Sequence, residues 1–166
     1  DNVARHFQHH IEHLSLSVDA IADILSSGAE LINSALLADR KVFSCGIGLD
    51  ASTAVLFSEL MTRGIGRERP ALPTVELASR FGALPESAQL WISGQMQAQG
   101  QPGDVALVFA GSLENHHLLA LATTINKRHM QPIWMGAQGP GVSLTFPGIS
   151  LAGNVALCHA SVICLA

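Results

Sequence analysis

The sequence predicts an α/β fold, in which helices cover both faces of a mostly parallel β-sheet. Short apolar runs alternate along the chain with longer segments whose apolar residues recur at helical spacing, and this alternation is typical of parallel sheets. The run Val105–Phe109 is apolar at every position, as expected of a central strand that is buried on both faces. A chain of 166 residues can bury about two thirds of its unfolded surface, so residues 1–166 are expected to form one domain.

Residues 1–40 are predicted to form a pair of helices that precedes the sheet. Apolar residues of the first helix recur in steps of four and three and form one stripe, which could pack on the domain or on a neighbouring subunit. We expect this helix to end at Ser26–Gly28 and a second helix to run through Leu31–Leu36. The stripe consists of Phe7, Ile11, Leu14, Val18, Ile21 and Leu25.

The α/β core is predicted over residues 41–166 and contains five strands. Ligands of such folds bind beyond the carboxyl ends of the strands, and the loops at 46–50 and 110–115 are expected to share that edge. The predicted strands are 41–45, 73–77, 105–109, 132–135 and a last one near 143–151. The predicted helices follow Asp50, span 86–99 and about 115–129, and begin at Asn154.

The balance of charged and apolar residues bears on the partners of the chain. The formal net charge is -4 with only nine Lys and Arg residues, which argues against direct binding to nucleic acid or to an anionic membrane. Charged residues make up 13% of the chain and apolar residues 48%, an apolar excess that predicts burial of surface between subunits. We therefore expect a homo-oligomer, a tetramer or a dimer, in which the apolar stripe and the helix 154–166 lie at subunit contacts.

Three cysteines, Cys45, Cys158 and Cys164, lie in apolar segments without the spacing of metal ligands. They are interpreted as buried free thiols of a reducing compartment. No signal peptide opens the sequence, and Asn154 and His159 interrupt the most apolar stretch, Ile149–Ala166. We therefore expect a cytoplasmic protein that has a buried last helix and no cofactor.

Four histidines of the first predicted helix share one flank. Imidazoles four residues apart suit zinc, but a metal site needs further ligands in a desolvated setting. This end of the helix is expected to be exposed, so the histidines are interpreted as a solvated polar face and no metal site is predicted there. They are His6, His9, His10 and His13.

A glycine turn, Gly46 to Gly48, joins the first strand to the helix that follows Asp50. A strand, glycine turn and helix aim backbone N–H groups and the positive end of a helix dipole at one point, which is how many α/β proteins hold phosphate. Asp50 stands in this turn, where its carboxylate can cap the helix and occupy the space of an anion. The sequence therefore predicts a phosphate cradle that is filled by a side chain.

Three segments resemble the phosphoheptose isomerase type of SIS (sugar isomerase) domain: Cys45–Asp50, Arg67–Pro73 and Gly103–Leu107. The resemblance extends from about Leu37 to Leu165. It implies a flavodoxin-like SIS fold, a tetramer or dimer, and conversion of sedoheptulose 7-phosphate into D-glycero-D-manno-heptose 7-phosphate. A regulatory branch of the same family binds the replication initiator DnaA and is also similar to this chain.

The resemblance identifies two phosphate-binding loops, and this chain departs from the family in both. Asp50 replaces a serine that binds the sugar phosphate. The second loop keeps one hydroxyl, Ser112, and adds the carboxylate of Glu114. Two acids in a partly desolvated pocket should repel a phosphate. The ligand-binding candidates are Gly46, Gly48, Asp50, Ser112, Glu114 and Asn115.

The catalytic positions of the family also differ in this chain. Its catalytic glutamate aligns with Leu60 and its histidine with Cys158, and Glu59 and His159 lie one position away from them. We therefore expect a non-catalytic binding or regulatory protein, with DnaA as the type of protein partner. One alternative is the phosphoheptose isomerase itself, with Glu59 and His159 recruited for proton transfer. The other is a non-catalytic sensor of an uncharged or cationic sugar derivative, whose hydroxyl or amine groups would donate hydrogen bonds to Asp50 and Glu114.

Overall fold

In the computed structural model, strands and helices alternate along the residues that are described, namely 2–64, 66, 68–77, 84–146 and 151–166. Five strands and five α-helices lie within these ranges. The helices are α1 (Asn2–Leu37), α2 (Ala51–Arg63), α3 (Pro85–Gln99), α4 (Asn115–Lys127) and α5 (Leu151–Leu165). The strands are β1 (Val42–Gly46), β2 (Thr74–Glu76), β3 (Val105–Phe109), β4 (Gln131–Met135) and β5 (Val142–Leu144).

The five strands form one parallel sheet in the order β2-β1-β3-β4-β5. This is the strand order of flavodoxin-like folds, and it confirms the predicted fold class. The register pairs Gly46 with Phe109 and Phe109 with Met135, so β1, β3 and β4 end at the same level. The chain passes to opposite sides of the sheet from β1 and from β3, and we call the gap between their carboxyl ends the switch point.

Two apolar layers enclose the sheet because alternate residues of each strand point to opposite faces. Leu107 and Phe109 pack with α1, α2 and α5 on one face, whereas Ala106 and Val108 pack with α3 and α4 on the other. Every residue of β1 and β3 is buried. Full burial of a large apolar side chain contributes roughly 1.5–3 kcal/mol, so these two central strands anchor the edge at which their following loops meet.

The predicted pair of N-terminal helices is one continuous helix, α1, and the expected end at Ser26–Gly28 is wrong. Ser27 Oγ donates a hydrogen bond to the carbonyl of Asp23, so the serine is accommodated within the helix. A Cβ at Gly28 would lie 3.3 Å from Cδ2 of Leu165. The glycine therefore allows α1 and α5 to approach closely, and its role is in packing rather than in ending a helix.

The other predicted elements agree with the structure apart from their ends. The ranges of β3 and α3 match the prediction to within one residue. The strands β2 and β5 are shorter than predicted, α4 ends at Lys127 and α5 starts three residues early, at Leu151. Part of the predicted strand near 143–151 falls at residues 147–150, which lie outside the described ranges.

The apolar stripe of α1 divides into two parts. Its carboxyl-terminal part packs on the domain, with Ile21 and Leu25 half-buried against the core. Phe7, Ile11 and Val18 in the amino-terminal part are exposed. Among the helices of the described residues, none is both long enough and apolar enough to cross a lipid bilayer.

Candidate functional site

The carboxylate of Asp50 connects the loop after β1 to the loop after β3. Asp50 is fully buried, and its Oδ2 accepts hydrogen bonds from the Ser112 N–H at 2.9 Å and from the Ser112 hydroxyl at 2.6 Å. We call this pair of bonds the Asp50–Ser112 bridge. Because the loops follow the two strands between which the chain reverses direction, the bridge closes the switch point, where ligands of open α/β sheets bind.

The expected capping of α2 by Asp50 is not observed, since the side chain makes no hydrogen bond to the N–H groups of that helix. The backbone of Asp50 is already helical, with φ -73° and ψ -17°, at the end of the short 3₁₀ turn Gly48–Asp50. A capping side chain normally extends from β-region backbone. With its helical backbone, Asp50 directs its side chain to Ser112 instead.

Two glycines give this turn its shape. A Cβ at Gly46 would overlap the carbonyl group of Asp50, and Gly48 has a φ of 63° with open space around it. Gly46 is therefore required by the close approach of the backbone, and Gly48 by the left-handed conformation. Both glycines act by folding Asp50 back over the end of β1.

The second oxygen of the carboxylate, Asp50 Oδ1, is buried and has no hydrogen-bond partner among the described residues. It lies close to Gly111, since a Cβ at that glycine would be 3.3 Å from it.

Asn154 of α5 donates a hydrogen bond to the carbonyl of Gly136 at 3.2 Å and so holds the loop after β4. Burial, and secondarily the charge of Asp50, raises the pKa of Cys158 to about 12, so this thiol remains protonated at neutral pH.

His159 lies beside the start of α2. Its Nδ1 is 2.8 Å from Oγ1 of Thr53 in a hydrogen bond, and Thr53 is fully buried three residues after Asp50. The imidazole is half-buried. This hydrogen bond places the candidate His159 close to the switch point. An oriented imidazole is a suitable group for proton transfer.

The other catalytic candidate, Glu59, is directed away from the fold. Its side chain is 55% exposed and forms an ion pair with Arg63 one helical turn later, at 2.7 Å. Leu60 packs against the core on the inner side of α2. The structure thus joins Asp50 to Ser112 and His159 to Thr53 at the start of α2, whereas Glu59 pairs with Arg63.

The candidates at the start of α4 are also separated from the buried part of the site. Glu114 immediately precedes α4, makes no capping hydrogen bond, and its side chain is 78% exposed. Its Oε2 lies 3.4 Å from Nδ1 of His116. Asn115 is exposed as the first residue of α4. Of the two acids expected in the pocket, Asp50 is buried at the switch point, whereas Glu114 extends into solvent.

Two residues of this site, Thr53 and Asn154, were not identified as site candidates from the sequence. Thr53 lies one turn from Asp50 and directly before the apolar run Ala54–Phe57, and Asn154 interrupts the most apolar stretch of the chain. A polar residue in such a context is a usable signal, because buried polar groups need partners.

The side chains of His6, His10 and His13 lie outside the described part, so the interpretation of the histidine flank stays a prediction.

The fold and the site define the class of protein. A parallel sheet in flavodoxin-like order, preceded by a long helix and carrying loops from two strands and a carboxyl-terminal helix at its switch point, is an SIS-type α/β domain. Solved structures agree. The chain superposes on a phosphoheptose isomerase from Francisella tularensis with a TM-score of 0.86, 21% identity and coverage of 99% of this chain and 94% of the other. The corresponding values for the phosphoheptose isomerase GmhA from Neisseria gonorrhoeae are 0.83, 22%, 98% and 95%.

Sequence comparison identifies the family. The chain is 30% identical over 149 residues to a phosphoheptose isomerase from Thiobacillus denitrificans, covering 86% of this chain and 76% of the relative. It is 29% identical over 146 residues to one from Methylococcus capsulatus, with coverages of 85% and 75%. A comparison with models of protein families found no match. The chain belongs to the phosphoheptose isomerase family.

Proposed function

We propose that the chain binds a sugar derivative at the switch point between β1 and β3. The observation that carries this proposal is the Asp50–Ser112 bridge at this edge, with the hydrogen bond between Thr53 and His159 three residues further along the chain from Asp50. Hydroxyl, imidazole and carboxylate groups are suitable partners for sugar hydroxyls. Membership of the phosphoheptose isomerase family supports the same class of ligand.

The names of the relatives favour isomerisation of a phosphorylated heptose as the activity. Exchange between a ketose and an aldose requires a group that moves a proton, and His159 is our candidate for that role. A phosphate at this site would need the Ser112 N–H and hydroxyl, which Asp50 Oδ2 already occupies. Isomerisation of sedoheptulose 7-phosphate by this chain therefore requires the Asp50–Ser112 bridge to open.

A second candidate function, a non-catalytic regulator, is favoured by the Asp50–Ser112 bridge itself. A bridge that stays closed excludes the phosphate, and Glu59, which pairs with Arg63, does not serve His159 as a second proton-transfer group. Such a protein would act through its surface, and an oligomer would present several copies to a protein partner of the DnaA type. This function requires no direct contact with nucleic acid or membrane.

Calorimetry and turnover measurements with sedoheptulose 7-phosphate distinguish the two functions. If the chain is an isomerase, the natural protein should bind the sugar phosphate at micromolar concentration and convert it, and His159→Gln should lower kcat by about 10²-fold or more. If the chain is a regulator, binding should appear only in Asp50→Ser and without turnover. Glu30→Gln, which removes an exposed charge of α1, is the control.

Unphosphorylated sedoheptulose tests the general proposal. Binding of this sugar by the natural protein, together with its loss in His159→Gln, would support a sugar site that excludes phosphate. If neither sugar binds to the natural protein or to Asp50→Ser at millimolar concentration, the proposed sugar site is wrong.

A further inference from the structure

A cluster of potential metal ligands lies outside the switch point, where α3 and α4 begin. Glu86, His116 and His117 each offer one ligand atom, and these atoms all lie within 4.8 Å of one another. Glu86 is in the first turn of α3, and the two histidines are in the first turn of α4. The two helices pack side by side on the same face of the sheet, so residues 30 positions apart in sequence are brought together by the tertiary fold.

The arrangement of the two histidines is favourable for a metal ion. His117 is only 3% exposed, so packing restricts its ring. The ring centroids of His116 and His117 are 3.8 Å apart, with the rings inclined at 41°. Glu114 Oε2 lies 3.4 Å from His116 Nδ1, and a carboxylate on one ring nitrogen is the usual means of orienting a histidine ligand. One ligand is thus held by the core and a second can be oriented by a neighbouring acid.

The distances in the cluster permit coordination after a small movement. Ligand atoms about 2.0–2.1 Å from a tetrahedral zinc ion lie about 3.4 Å from one another. Glu86 and His116 are exposed and can rotate toward the buried His117. The carboxylates of Glu86 and Glu114 also offset the positive ends of the two helix dipoles, which would otherwise disfavour a cation.

We propose that Glu86, His116 and His117 bind a divalent first-row transition metal ion, with Zn²⁺ as the representative ion. Two imidazole nitrogens and one carboxylate oxygen suit Zn²⁺, whereas Mg²⁺ and Ca²⁺ prefer sites made of oxygen atoms. Three protein ligands leave a coordination position for water or for an oxygen of a bound molecule. This site goes beyond the proposed sugar binding and does not depend on it.

Calorimetric titration of the metal-free protein with Zn²⁺ tests the proposal. One ion per chain should bind with a dissociation constant of about 10 μM or lower. Glu86→Gln and His116→Gln replace exposed ligands and should each weaken binding at least tenfold, and Glu114→Gln should weaken it about tenfold because an outer carboxylate typically contributes 10- to 100-fold. Circular dichroism of these variants should be unchanged, which separates loss of a ligand from loss of the fold.

The histidines of α1 supply the matched control, since they also offer imidazoles. His6→Gln combined with His10→Gln should leave the zinc affinity unchanged. If this pair abolishes binding while Glu86→Gln and His116→Gln do not, the proposed site is wrong. The absence of saturable Zn²⁺ binding to the natural protein below about 100 μM would overturn it as well.

Discussion

At the scale of single residues, Asp50 has the greatest effect on the site. Its carboxylate is fully buried, and one oxygen accepts two hydrogen bonds from Ser112 while the other has no partner among the described residues. A buried carboxylate is costly unless hydrogen bonds compensate its lost hydration. The difference between the cost of burying the carboxylate and the gain from its hydrogen bonds determines the stability of the two loops. The same difference determines whether the loops can open to admit an anion.

Replacement of Asp50 by alanine tests the structural part of this balance. Asp50→Ala leaves the N–H and hydroxyl of Ser112 without their acceptor, so we expect the free energy of unfolding to fall by about 1–3 kcal/mol. Ser52→Ala, which alters an exposed hydroxyl two residues later, should change it by less than about 0.5 kcal/mol. Urea denaturation provides both values. A more stable Asp50→Ala protein would mean that burial of the carboxylate costs more than its hydrogen bonds contribute.

The three cysteines should differ in reactivity. Burial raises the pKa of Cys45 to about 12, and burial together with Asp50 raises the pKa of Cys158 to about 12. Cys164 is exposed, so the expectation that all three thiols are buried is wrong for this residue. A raised pKa keeps a thiol protonated at every pH well below 12, and the thiolate is the reactive form. At pH 8 a disulfide reagent should therefore label one thiol rapidly and the other two only after denaturation. Cys164→Ser should remove the rapid phase; a persistent rapid phase would contradict the burial of the other two.

At the scale of secondary-structure elements, glycines have different roles at different positions. Gly28 lies within α1 and permits contact with α5, although a serine pair followed by glycine in sequence predicts the end of a helix. Gly46 ends β1 and lies against the backbone of Asp50. The element in which a glycine lies depends on its tertiary neighbours, and the local sequence does not specify them.

Two alanine substitutions separate a glycine required by backbone contact from one that is not. Gly46→Ala would force the Cβ into the carbonyl group of Asp50, and we expect destabilisation by about 1–3 kcal/mol or more from overpacking. Gly94→Ala lies on the exposed side of α3 with open space around it, and the better helix propensity of alanine should stabilise the protein by about 0.5–1 kcal/mol. Thermal denaturation measures both changes. Equal stability of the two variants would show that the turn after β1 relaxes freely.

At the scale of the whole molecule, the apolar surface of α1 is the main feature without an explanation inside one chain. The helix α5, which was expected to lie between subunits, packs largely against α1 and α2 of its own chain. The amino-terminal part of α1 is different, because its large apolar side chains are exposed to solvent. Among the described residues in this part of α1, the exposed large apolar side chains are Val3, Phe7, Ile11, Leu16 and Val18.

We propose that this exposed part of α1 lies in the contact of a homo-oligomer. Sedimentation at micromolar concentration should then give a dimer or tetramer of the 17.5 kDa chain. Phe7→Glu combined with Ile11→Glu should shift it to a monomer without loss of helical circular dichroism, because isolated charges are costly at apolar contacts. Leu119→Glu, an exposed apolar position on α4, is the control. A natural protein that sediments as a monomer would contradict the proposal.

The sequence alone determined the fold class and most of the elements. The apolar run of β3 and the helical spacing of α2, α3 and α4 are local patterns, since a buried strand and an amphipathic helix each require particular residues at short intervals. The segments around Cys45–Asp50 and Gly103–Leu107 likewise led to the family that the comparisons then showed. Asp50 was available as a candidate from the glycine turn after β1, whereas Ser112 and His159 became candidates through the family resemblance.

The direction of each side chain was decided only by the tertiary structure. Asp50 was expected to cap its own helix but binds Ser112, 62 positions later, and Glu59 forms an ion pair with Arg63 instead of joining His159. The continuity of α1 across Ser26–Gly28 depends on packing against Leu165. The cluster of Glu86, His116 and His117 exists because α3 and α4 pack side by side. All of these contacts join residues that are distant in sequence or depend on competing partners, and a local pattern carries no information about which partner lies nearest in space.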